Sequence, residues 1–400
     1  MGCSQSGLVT ADTDLPGKGD VDWTGCRSST ATNSWSVTSN LDTSYQKTIY
    51  EEGNTTIEAK SRPQPANDIM PVGTVKKHLS MDWTQAESLN EDKENSLPCE
   101  LTLEEVKVKH HIADGGFCAV HACLYKGKDV VVKVPKSCCS DPRGAIAGVK
   151  NEIEIFKKLD HKYLCKFYGF GQGNDNKPFI ILEELKQNLA ELCGMGTAQQ
   201  EVPLKMMLKR RRLKRELPFR RRLELGLELA QLIKYLHEDA ISGGCVLHRD
   251  LKPRNVGLSH DGHIQVFDLG LARVVESRKA LTFKYEMTGE TGSQRYMAPE
   301  VWKGEPYNEK VDVYSFGLIL WEMLSLNQVF SSMSSEEHIL QVLEGGLRPP
   351  FEKCWTEEVK EILNGCWQQE SDQRITASAA VEKLTNLLQS YDTTATTCSQ

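Results

Sequence analysis

Hydrophobic and polar residues follow a regular period only after about residue 103 of the chain. EVKVKHHI (105–112) alternates apolar and polar positions, as a half-buried β-strand does, and KDVVVKV (128–134) predicts a second, more buried strand. NEIEIFKKL (151–159) spaces its apolar residues three to four positions apart, which predicts an amphipathic helix. FIILEEL (179–185) predicts a further strand. The first part of the ordered chain is therefore expected to be rich in strands.

From about residue 219 the pattern becomes helical. Three helical patterns are RRRLELGLELAQLIKYLHE (220–238), VDVYSFGLILWEML (311–324) and VEKLTNLLQSY (381–391). A small strand-rich half followed by a larger helical half predicts an α+β, two-lobed architecture. Residues 1–100 show neither period and are rich in Ser, Thr, Asn, Asp and Gly, which predicts a disordered amino-terminal tail. A short polar tail is expected at 391–400.

The net charge of −7 comes from this amino-terminal tail. By count, residues 1–100 carry 8 Lys and Arg against 15 Asp and Glu, and the remaining 300 residues carry 40 of each sign. That balance argues against a nucleic-acid partner. No apolar run of about 18 residues predicts a membrane-spanning helix. The amino terminus lacks a secretory signal, and the 13 cysteines lack the paired spacing of a disulfide framework or a zinc site, so we expect an intracellular protein.

The strongest chemical signal is the stretch VLHRDLKPRN at 246–255. Its H-R-D-L-x-x-x-N spacing is that of the catalytic loop of protein kinases. Three further kinase-like motifs occur around it in the expected order: VVVK at 130–133, DLG at 268–270 and APE at 298–300. The chain therefore resembles a eukaryotic protein kinase over about residues 103–390, which implies a small β-rich lobe (about 103–185) and a larger helical lobe (about 186–390).

The resemblance implies ATP as the phosphoryl donor and Mg²⁺ as the cofactor, and it assigns roles to particular residues. The implied catalytic residues are Asp250 for the substrate hydroxyl, Lys252 for the γ-phosphate, Lys133 for the α- and β-phosphates, and Glu152 as the ion-pair partner of Lys133, with Glu154 as the alternative. The implied metal ligands are Asn255 and Asp268. Two structural roles are also implied, with Asp312 anchoring the catalytic loop and Arg374 pairing with Glu300.

The predicted nucleotide pocket departs from the family pattern in its glycine-rich loop. The three glycine positions hold Ala113, Gly115 and Cys118, so we expect weaker ATP binding but retained activity. Cys118 is either a reactive thiol near the phosphates or simply a small side chain. Val131 is larger and Gly257 smaller than the usual residues above and below adenine, so their volumes are expected to compensate. The full predicted ATP-binding set is Ile112, Ala113, Gly115, Cys118, Val120, Val131, Lys133, Glu183, Leu185 and Gly257.

The class of substrate is indicated by residues around the catalytic loop. Lys252 together with Ser293 resembles the serine/threonine class, while DVYSFGLILWEML and CWQQESDQR resemble its tyrosine-kinase-like branch. Protein substrates with Ser or Thr hydroxyls are therefore expected. The damaged glycine loop supports an alternative from another class, a pseudokinase scaffold that binds partners without efficient phosphoryl transfer.

The segment after the DLG motif is a candidate for regulation by phosphorylation. Arg249 precedes the expected catalytic aspartate, and an anion in this segment would pair with it. Thr288 and Thr291 in MTGETGSQRY are the expected phosphosites. The alternative is that both hydroxyls only shape a turn.

A strongly basic stretch, KMMLKRRRLKRELPFRRR (205–222), has Lys or Arg at ten of its eighteen positions. It overlaps residues 194–217, which are expected to be an insertion because the connection at this place is usually shorter in the kinase family. Three interpretations stay open: a solvated insertion, a patch for anionic headgroups or an acidic partner, and a nuclear localisation signal.

The first six residues, MGCSQS, match the pattern for amino-terminal acylation. Gly2 is the expected myristoylation site. Because one acyl chain alone gives only marginal membrane binding, a second anchoring signal is expected, either palmitate on Cys3 or the basic stretch at 205–222. We therefore expect the protein at the cytoplasmic face of a membrane and in the cytoplasm. The sequence indicates no oligomeric state.

Overall fold

The architecture is that of a computed structural model, whose described residues are 99–173, 176–195, 203–277, 279 and 282–397. The predicted disordered tail, including Gly2 and Cys3, lies outside these residues except for its last two positions. Those two positions belong to a strand, Cys99–Leu101, so regular structure begins a few residues before the expected boundary.

The amino-terminal lobe is built on one six-stranded sheet. Its strands are β1 Cys99–Leu101, β2 Lys107–Asp114, β3 Cys118–Tyr125, β4 Lys128–Pro135, β5 Phe167–Gln172 and β6 Pro178–Glu183. The order across the sheet is β1-β5-β6-β4-β3-β2, and neighbours are antiparallel except for the parallel pair β1 and β5. The predicted strand-rich lobe is confirmed.

Alternation along strand β4 decides which side chains face the centre of the molecule. Val130 and Val132 are fully buried in a small core on one face of the sheet, together with Ile181 of β6. Because successive side chains of a strand point to opposite faces, Lys133 points to the other face. Ile180 of β6 lies on that second face and packs in the larger core of the molecule. The strand therefore presents Lys133 towards the carboxy-terminal lobe.

A long helix, α1 (Pro142–Phe156), crosses the second face of the sheet. It begins nine residues before the predicted segment 151–159 and ends three residues before that segment ends. Asp141 caps it by accepting a hydrogen bond of 2.9 Å from the backbone N–H of Gly144, with Pro142 in the first turn. The cap fixes the start of the helix and thereby the position of Glu152, which is completely buried.

The carboxy-terminal lobe is mainly helical, as predicted. Its helices within the described residues are α2 Leu189–Leu192, α3 Pro203–Glu216, α4 Phe219–Lys234, α5 Pro299–Trp302, α6 Lys310–Ser325, α7 Ser335–His338, α8 Glu357–Cys366 and α9 Ala377–Thr397. Its short strands are β7 Gln187–Asn188, β8 Cys245–Leu247, β9 Val256–Leu258, β10 Ile264–Val266 and β11 Arg273–Val275. They form two small sheets, β10-β9-β7 and β11-β8, which frame the catalytic-loop motif. No described helix is both long and apolar enough to cross a membrane.

Three long helices form the centre of this lobe. Every residue of α6 is buried, which explains the nearly continuous apolar sequence of this segment, and α4 packs against both α6 and α9. Helix α4 continues to Asp239 as a π-helical turn. Helix α9 extends to Thr397, so residues 391–397 of the predicted polar tail continue the last helix instead.

Glu322 is a fully buried acid on α6. Both of its oxygens accept from the Tyr296 hydroxyl at 3.1 Å, and Oε1 also accepts from the backbone N–H of Val329 at 2.8 Å. Burial raises the pKa of Glu322 to about 8. The folded state therefore holds a proton that the unfolded chain releases near its ordinary, lower pKa. The stability associated with this proton is present at acid pH and is lost as pH rises towards about 8.

We expect Glu322→Gln to remove most of this pH dependence. The glutamine carbonyl keeps the two bonds made by Oε1, and its amide group donates to the Tyr296 hydroxyl without carrying charge. The free energy of unfolding from urea denaturation should therefore fall less between pH 5.5 and pH 8.5 in the variant than in the native chain, by roughly 1–4 kcal/mol. Equal pH dependence in both proteins would show that Glu322 ionises normally.

Candidate active site

Lys133 stands between two carboxylates. Its Nζ atom lies 2.7 Å from Glu152 Oε2 on α1 and 2.7 Å from Asp268 Oδ1 in the DLG motif. Glu154, the alternative partner, is exposed and pairs with Lys157 at 2.8 Å. Strand β4, helix α1 and the turn after β10 thus bring together three charged residues that are far apart in the sequence.

The Lys133 ammonium group attracts both carboxylates, of which Glu152 is completely buried. Burial opposes the charged form of Lys133, but the two carboxylates outweigh it and raise the pKa of the ammonium group well above its usual range. Burial likewise opposes ionisation of Asp268, and Lys133 again outweighs it, so the pKa of Asp268 is lowered. Lys133 and Asp268 are therefore both charged near neutral pH.

Helix α1 is also tied to the DLG motif through Asn151, a contact that the sequence did not indicate. The Asn151 side-chain amide donates to the backbone carbonyls of Gly270 and Ala272, each at 3.0 Å. Leu269, which directly precedes Gly270, is fully buried. Neither a period nor a motif marks Asn151, because its role is to satisfy carbonyl groups more than a hundred residues away.

Asp250 is held at both carboxylate oxygens. Its Oδ1 atom accepts from the Ser293 backbone N–H at 2.9 Å and from the Ser293 hydroxyl at 2.8 Å. Its Oδ2 atom accepts from Lys252 Nζ at 2.8 Å and from Asn255 Nδ2 at 3.1 Å. Lys252 Nζ also lies 2.8 Å from the Ser293 hydroxyl. In the sequence, Ser293 indicated only the class of substrate. In the structure, its hydroxyl and backbone N–H both bond to Asp250.

The loop that carries Asp250 is anchored on α6. Asp312 accepts from the backbone N–H of His248 at 2.8 Å and of Arg249 at 2.9 Å, and its Oδ2 lies 3.0 Å from His237 Nε2. Arg249 has a positive φ of 65°, a conformation that costs energy for a non-glycine residue and is held by such contacts. Asp312 therefore fixes the backbone turn that presents Asp250.

A buried ion pair supports the segment that follows. Arg374 Nη1 and Nη2 lie 2.6 and 2.8 Å from the two oxygens of Glu300, in a bidentate arrangement. The pair joins the APE motif to the turn before α9. Within the described residues neither side chain bonds to Asp250, so the pair acts on the architecture of the lobe.

Two groups in this cleft have free oxygen atoms suited to a hard cation. Asp268 uses Oδ1 for Lys133, and within the described part of the chain its Oδ2 has no partner, although the side chain is 36% exposed. Asn255 donates its Nδ2 to the carbonyl and to the carboxylate of Asp250, which leaves its amide oxygen directed elsewhere. Carboxylate and amide oxygens are the ligands that Mg²⁺ prefers, so both residues fit the predicted metal role.

The predicted roof of the nucleotide pocket is the hairpin of β2 and β3. Ala113 pairs with Val120 in the ladder, and Gly115 closes the turn by donating its N–H to the Cys118 carbonyl at 2.8 Å. Cys118 is buried, and burial raises the pKa of its thiol to about 12. A thiol that stays protonated is a poor nucleophile, so the structure favours the small-side-chain interpretation of Cys118.

The floor of the predicted pocket shows a close approach that the sequence did not reveal. A Cβ atom at Gly257 would lie 2.4 Å from Leu185 Cδ1 and 3.3 Å from Phe267. Leu185 therefore fills the space left by the glycine. The sequence predicts that the small Gly257 compensates for the large Val131; the side chain nearest to a Cβ at Gly257 is that of Leu185, in the connection between the lobes.

This contact predicts an energetic coupling between Gly257 and Leu185. Gly257→Ala should weaken ATP binding about tenfold, because the added methyl displaces Leu185 at the cost of overpacking. In a Leu185→Ala background the same change should have much less effect. A double-mutant cycle on nucleotide affinity measures the coupling, with Val131→Ala as the matched partner that should act additively. Additivity of the Gly257 and Leu185 changes would exclude the coupling.

The two predicted phosphosites have different surroundings. Thr288 is exposed, and its hydroxyl lies 3.2 Å from Arg249 Nη1. Thr291 is only 4% exposed, and its hydroxyl donates within the turn towards the carbonyls of Thr288 and Gly289 at 3.0 and 3.1 Å. In this conformation Thr288 is therefore accessible to a modifying enzyme, whereas Thr291 shapes the turn, as the alternative interpretation held.

We expect phosphorylation at Thr288 and not at Thr291. Intact-mass analysis after incubation with ATP should show a phosphate that disappears in Thr288→Ala and persists in Thr291→Ala. The phosphate would meet the Arg249 guanidinium, so the phosphorylated chain should be several-fold more active than Thr288→Ala. Equal activity of the phosphorylated chain and Thr288→Ala would show that phosphorylation of Thr288 does not regulate the kinase.

Comparison with known protein families shows which family the chain is similar to. The family model of protein tyrosine and serine/threonine kinases matches residues 106–384, which is more than half of the chain. The chain belongs to the protein kinase family. The match spans both lobes and includes Lys133, Asp250 and Asp268.

Curated relatives within the family include kinases from a plant and from an amoeba. The serine/threonine-protein kinase VIK of Arabidopsis thaliana is 32% identical over 66% of this chain and 56% of its own length. The serine/threonine-protein kinase STY46 of the same plant is 29% identical over 76% of this chain and 51% of its own length. The dual specificity protein kinase shkE of Dictyostelium discoideum is 29% identical over 74% of this chain and 38% of its own length. The kinase thus spans about half or less of the length of these relatives.

Proposed function

We propose that this kinase transfers the γ-phosphate of ATP to serine and threonine hydroxyls of protein substrates. The observation that carries the proposal is the environment of Asp250, whose two oxygens are held by Ser293 on one side and by Lys252 and Asn255 on the other. Such a carboxylate is fixed in position, with the Lys252 ammonium group 2.8 Å from one of its oxygens. The names of two curated relatives above, both serine/threonine kinases, support the same substrate class.

The reaction places an incoming hydroxyl against Asp250. The hydroxyl oxygen forms a bond to the γ-phosphorus while the bond from that phosphorus to the bridging oxygen of ADP breaks. The proton of the hydroxyl passes to the Asp250 carboxylate. Lys252, within reach of Asp250 and Ser293, offsets the negative charge that develops on the transferred group. Asn255 and Asp268 would hold Mg²⁺, which would supply positive charge to neutralise the phosphates.

Lys133 has the complementary task of orienting the donor. Its ammonium group is fixed by Glu152 and keeps its charge, so it is ready to bind phosphate oxygens of ATP. The intact set of Lys133, Glu152, Asp250 and Asp268 argues against the pseudokinase alternative, for which the altered glycine loop is the supporting feature.

The test is transfer of labelled phosphate from ATP to a generic basic protein by the full chain, followed by phosphoamino-acid analysis. We expect phosphoserine and phosphothreonine, with transfer by the Asp250→Asn variant lowered by at least about 100-fold. Because shkE is named as a dual specificity kinase, phosphotyrosine is the informative alternative product, and it would contradict the proposed specificity. Nucleotide binding without transfer would support the scaffold.

We further propose that acylation at Gly2 and Cys3 tethers the kinase to the cytoplasmic face of a membrane. The support is the MGCSQS sequence and the low positive charge that follows, since only Lys18 and Arg27 are basic between Gly2 and Gln46. Charge near the terminus cannot supply the second anchoring signal, and palmitate on Cys3 can. Gly2→Ala should shift the protein from the membrane to the soluble fraction, and Cys3→Ser should do so in part. Unchanged partitioning of Gly2→Ala would contradict the tether.

A further inference from the structure

The basic insertion contains a helix that is fastened to the carboxy-terminal lobe. Arg210 of α3 donates from Nε and Nη2 to the Ser325 carbonyl at 3.1 and 2.8 Å, and it also pairs with Glu352. Lys214, one turn further, lies 3.4 Å from the same glutamate. These contacts come from one side of the helix and hold it against the end of α6.

Apolar contacts strengthen the same side of α3. Leu213 reaches the turn after α2, where its Cδ1 atom would lie 2.9 Å from a Cβ at Gly194. Leu217, just after the helix, is buried. Positions 210, 213 and 217 lie within one face of a helix with 3.6 residues per turn. The inner face of α3 is therefore occupied, and its orientation on the lobe is fixed.

The outer face carries a different set of residues, which we call the α3 outer face: Met207, Leu208, Arg211, Arg212 and Arg215. At 100° per residue these five positions span about 140° of the helix, and all five side chains are exposed. Met207 and Leu208 are 49% and 56% exposed, unusual values for adjacent large apolar side chains.

The charge of the α3 outer face is almost unopposed. Arg212 pairs with Glu216 at 2.7 Å, and both side chains are well exposed. Within the described part of the chain, Arg211 and Arg215 have no carboxylate partner. The α3 outer face thus combines three guanidinium groups, two of them unpaired, with two apolar side chains.

We propose that the α3 outer face binds the surface of an anionic lipid bilayer. Guanidinium groups pair with phosphate and carboxylate groups of lipid headgroups, and the adjacent apolar side chains enter the boundary of the acyl chains. A nucleic acid or an acidic peptide satisfies the arginines but offers no comparable apolar layer to Met207 and Leu208. Because α3 is already folded and fixed to the lobe, binding carries little ordering cost. The proposal is independent of acylation at Gly2.

The experiment uses the unlipidated full chain, produced in bacteria, and sedimentation with vesicles. Vesicles of equal parts phosphatidylcholine and phosphatidylserine should bind the kinase at low salt, and vesicles of phosphatidylcholine alone should bind it at least about tenfold more weakly. Equal binding to both compositions would overturn the proposal, as would no binding to either.

Two variants of the α3 outer face test the two parts of the surface. Arg211→Glu/Arg215→Glu should lose at least about tenfold in affinity for anionic vesicles. Lys128→Glu/Lys303→Glu carries the same change in net charge on exposed residues elsewhere and should bind like the native chain. Equal losses in these two double variants would mean that only net charge matters and would overturn the proposal.

Met207→Ser/Leu208→Ser keeps the arginines and should bind anionic vesicles more weakly than the native chain when salt is raised, because screening removes the electrostatic part first. Retained binding at high salt in this variant would contradict insertion of the apolar pair. All variants should keep native thermal unfolding and native activity on a soluble substrate, because the α3 outer face makes no contact with the active site. Competition by polyglutamate without any vesicle binding would assign the surface to an acidic protein instead.

Discussion

Replacing Asp250 with asparagine is expected to lower kcat for protein phosphorylation by about 10²–10⁴-fold. Asparagine keeps the size of the side chain and can still accept from the Ser293 N–H and hydroxyl, which lie at 2.9 and 2.8 Å. It cannot take the proton of the incoming hydroxyl. Its amide group would also face two donors, Lys252 Nζ and Asn255 Nδ2. Nucleotide binding should change little, because Lys133 and Asp268 are untouched.

Ser293→Ala is the matched control for this prediction. It removes one hydrogen bond to Asp250 but leaves the backbone N–H of residue 293 as a donor, so kcat should fall by about tenfold or less. Steady-state kinetics of both variants, with nucleotide affinity measured separately, distinguish loss of the proton acceptor from loss of its positioning. Comparable losses in the two variants would show that Asp250 serves only to hold the loop.

Replacing Lys133 with methionine is expected to remove activity and to destabilise the fold together. The change leaves Glu152, which is completely buried, without the ammonium group 2.7 Å away, and it leaves Asp268 without its partner. An unpaired buried charge costs about 3–5 kcal/mol in the free energy of unfolding. Urea denaturation measures this loss, and the phosphate-transfer assay measures the loss of ATP orientation.

The double variant Lys133→Met/Glu152→Gln separates the two effects. Glutamine at 152 is neutral, so much of the lost stability should return, whereas activity should stay absent because no cation remains to orient the phosphates. If the double variant recovered activity as well as stability, Lys133 would not be needed to orient the phosphates of ATP. A Lys133→Met variant as stable as the native chain would show that the pair contributes nothing to the fold.

Sequence periodicity predicted the two-lobed fold because strands and helices here follow their expected patterns closely. Alternation in β4 is the clearest case, since it separates Val130 and Val132 from Lys133. The resemblance to the kinase family, rather than periodicity, implied Glu152 as the partner of Lys133, and the two side chains lie 2.7 Å apart. The start of α1 was missed, because glycines at 144 and 148 weaken the helical pattern and only the Asp141 cap marks the boundary.

Three other contacts between distant segments could not be predicted from the sequence or from the resemblance. Ser293 meets Asp250 across 43 positions, and Asn151 meets the carbonyl of Gly270 across 119. Leu185 fills the space at Gly257 because the connection between the lobes runs beside β9. Each contact depends on how the chain closes in space, which no local period or motif encodes.

Helix α6 links the chemistry of the kinase to its thermal behaviour. One fully buried helix holds the catalytic loop through Asp312 and the segment before α5 through Ser315 and Glu322, which bind the carbonyl and the hydroxyl of Tyr296. The catalytic loop and the segment before α5 are therefore expected to unfold together with helix α6. Lys133 and Glu152, by contrast, lie outside the carboxy-terminal lobe, on strand β4 and helix α1. Unfolding of that lobe and displacement of Asp250 are thus expected to be a single event.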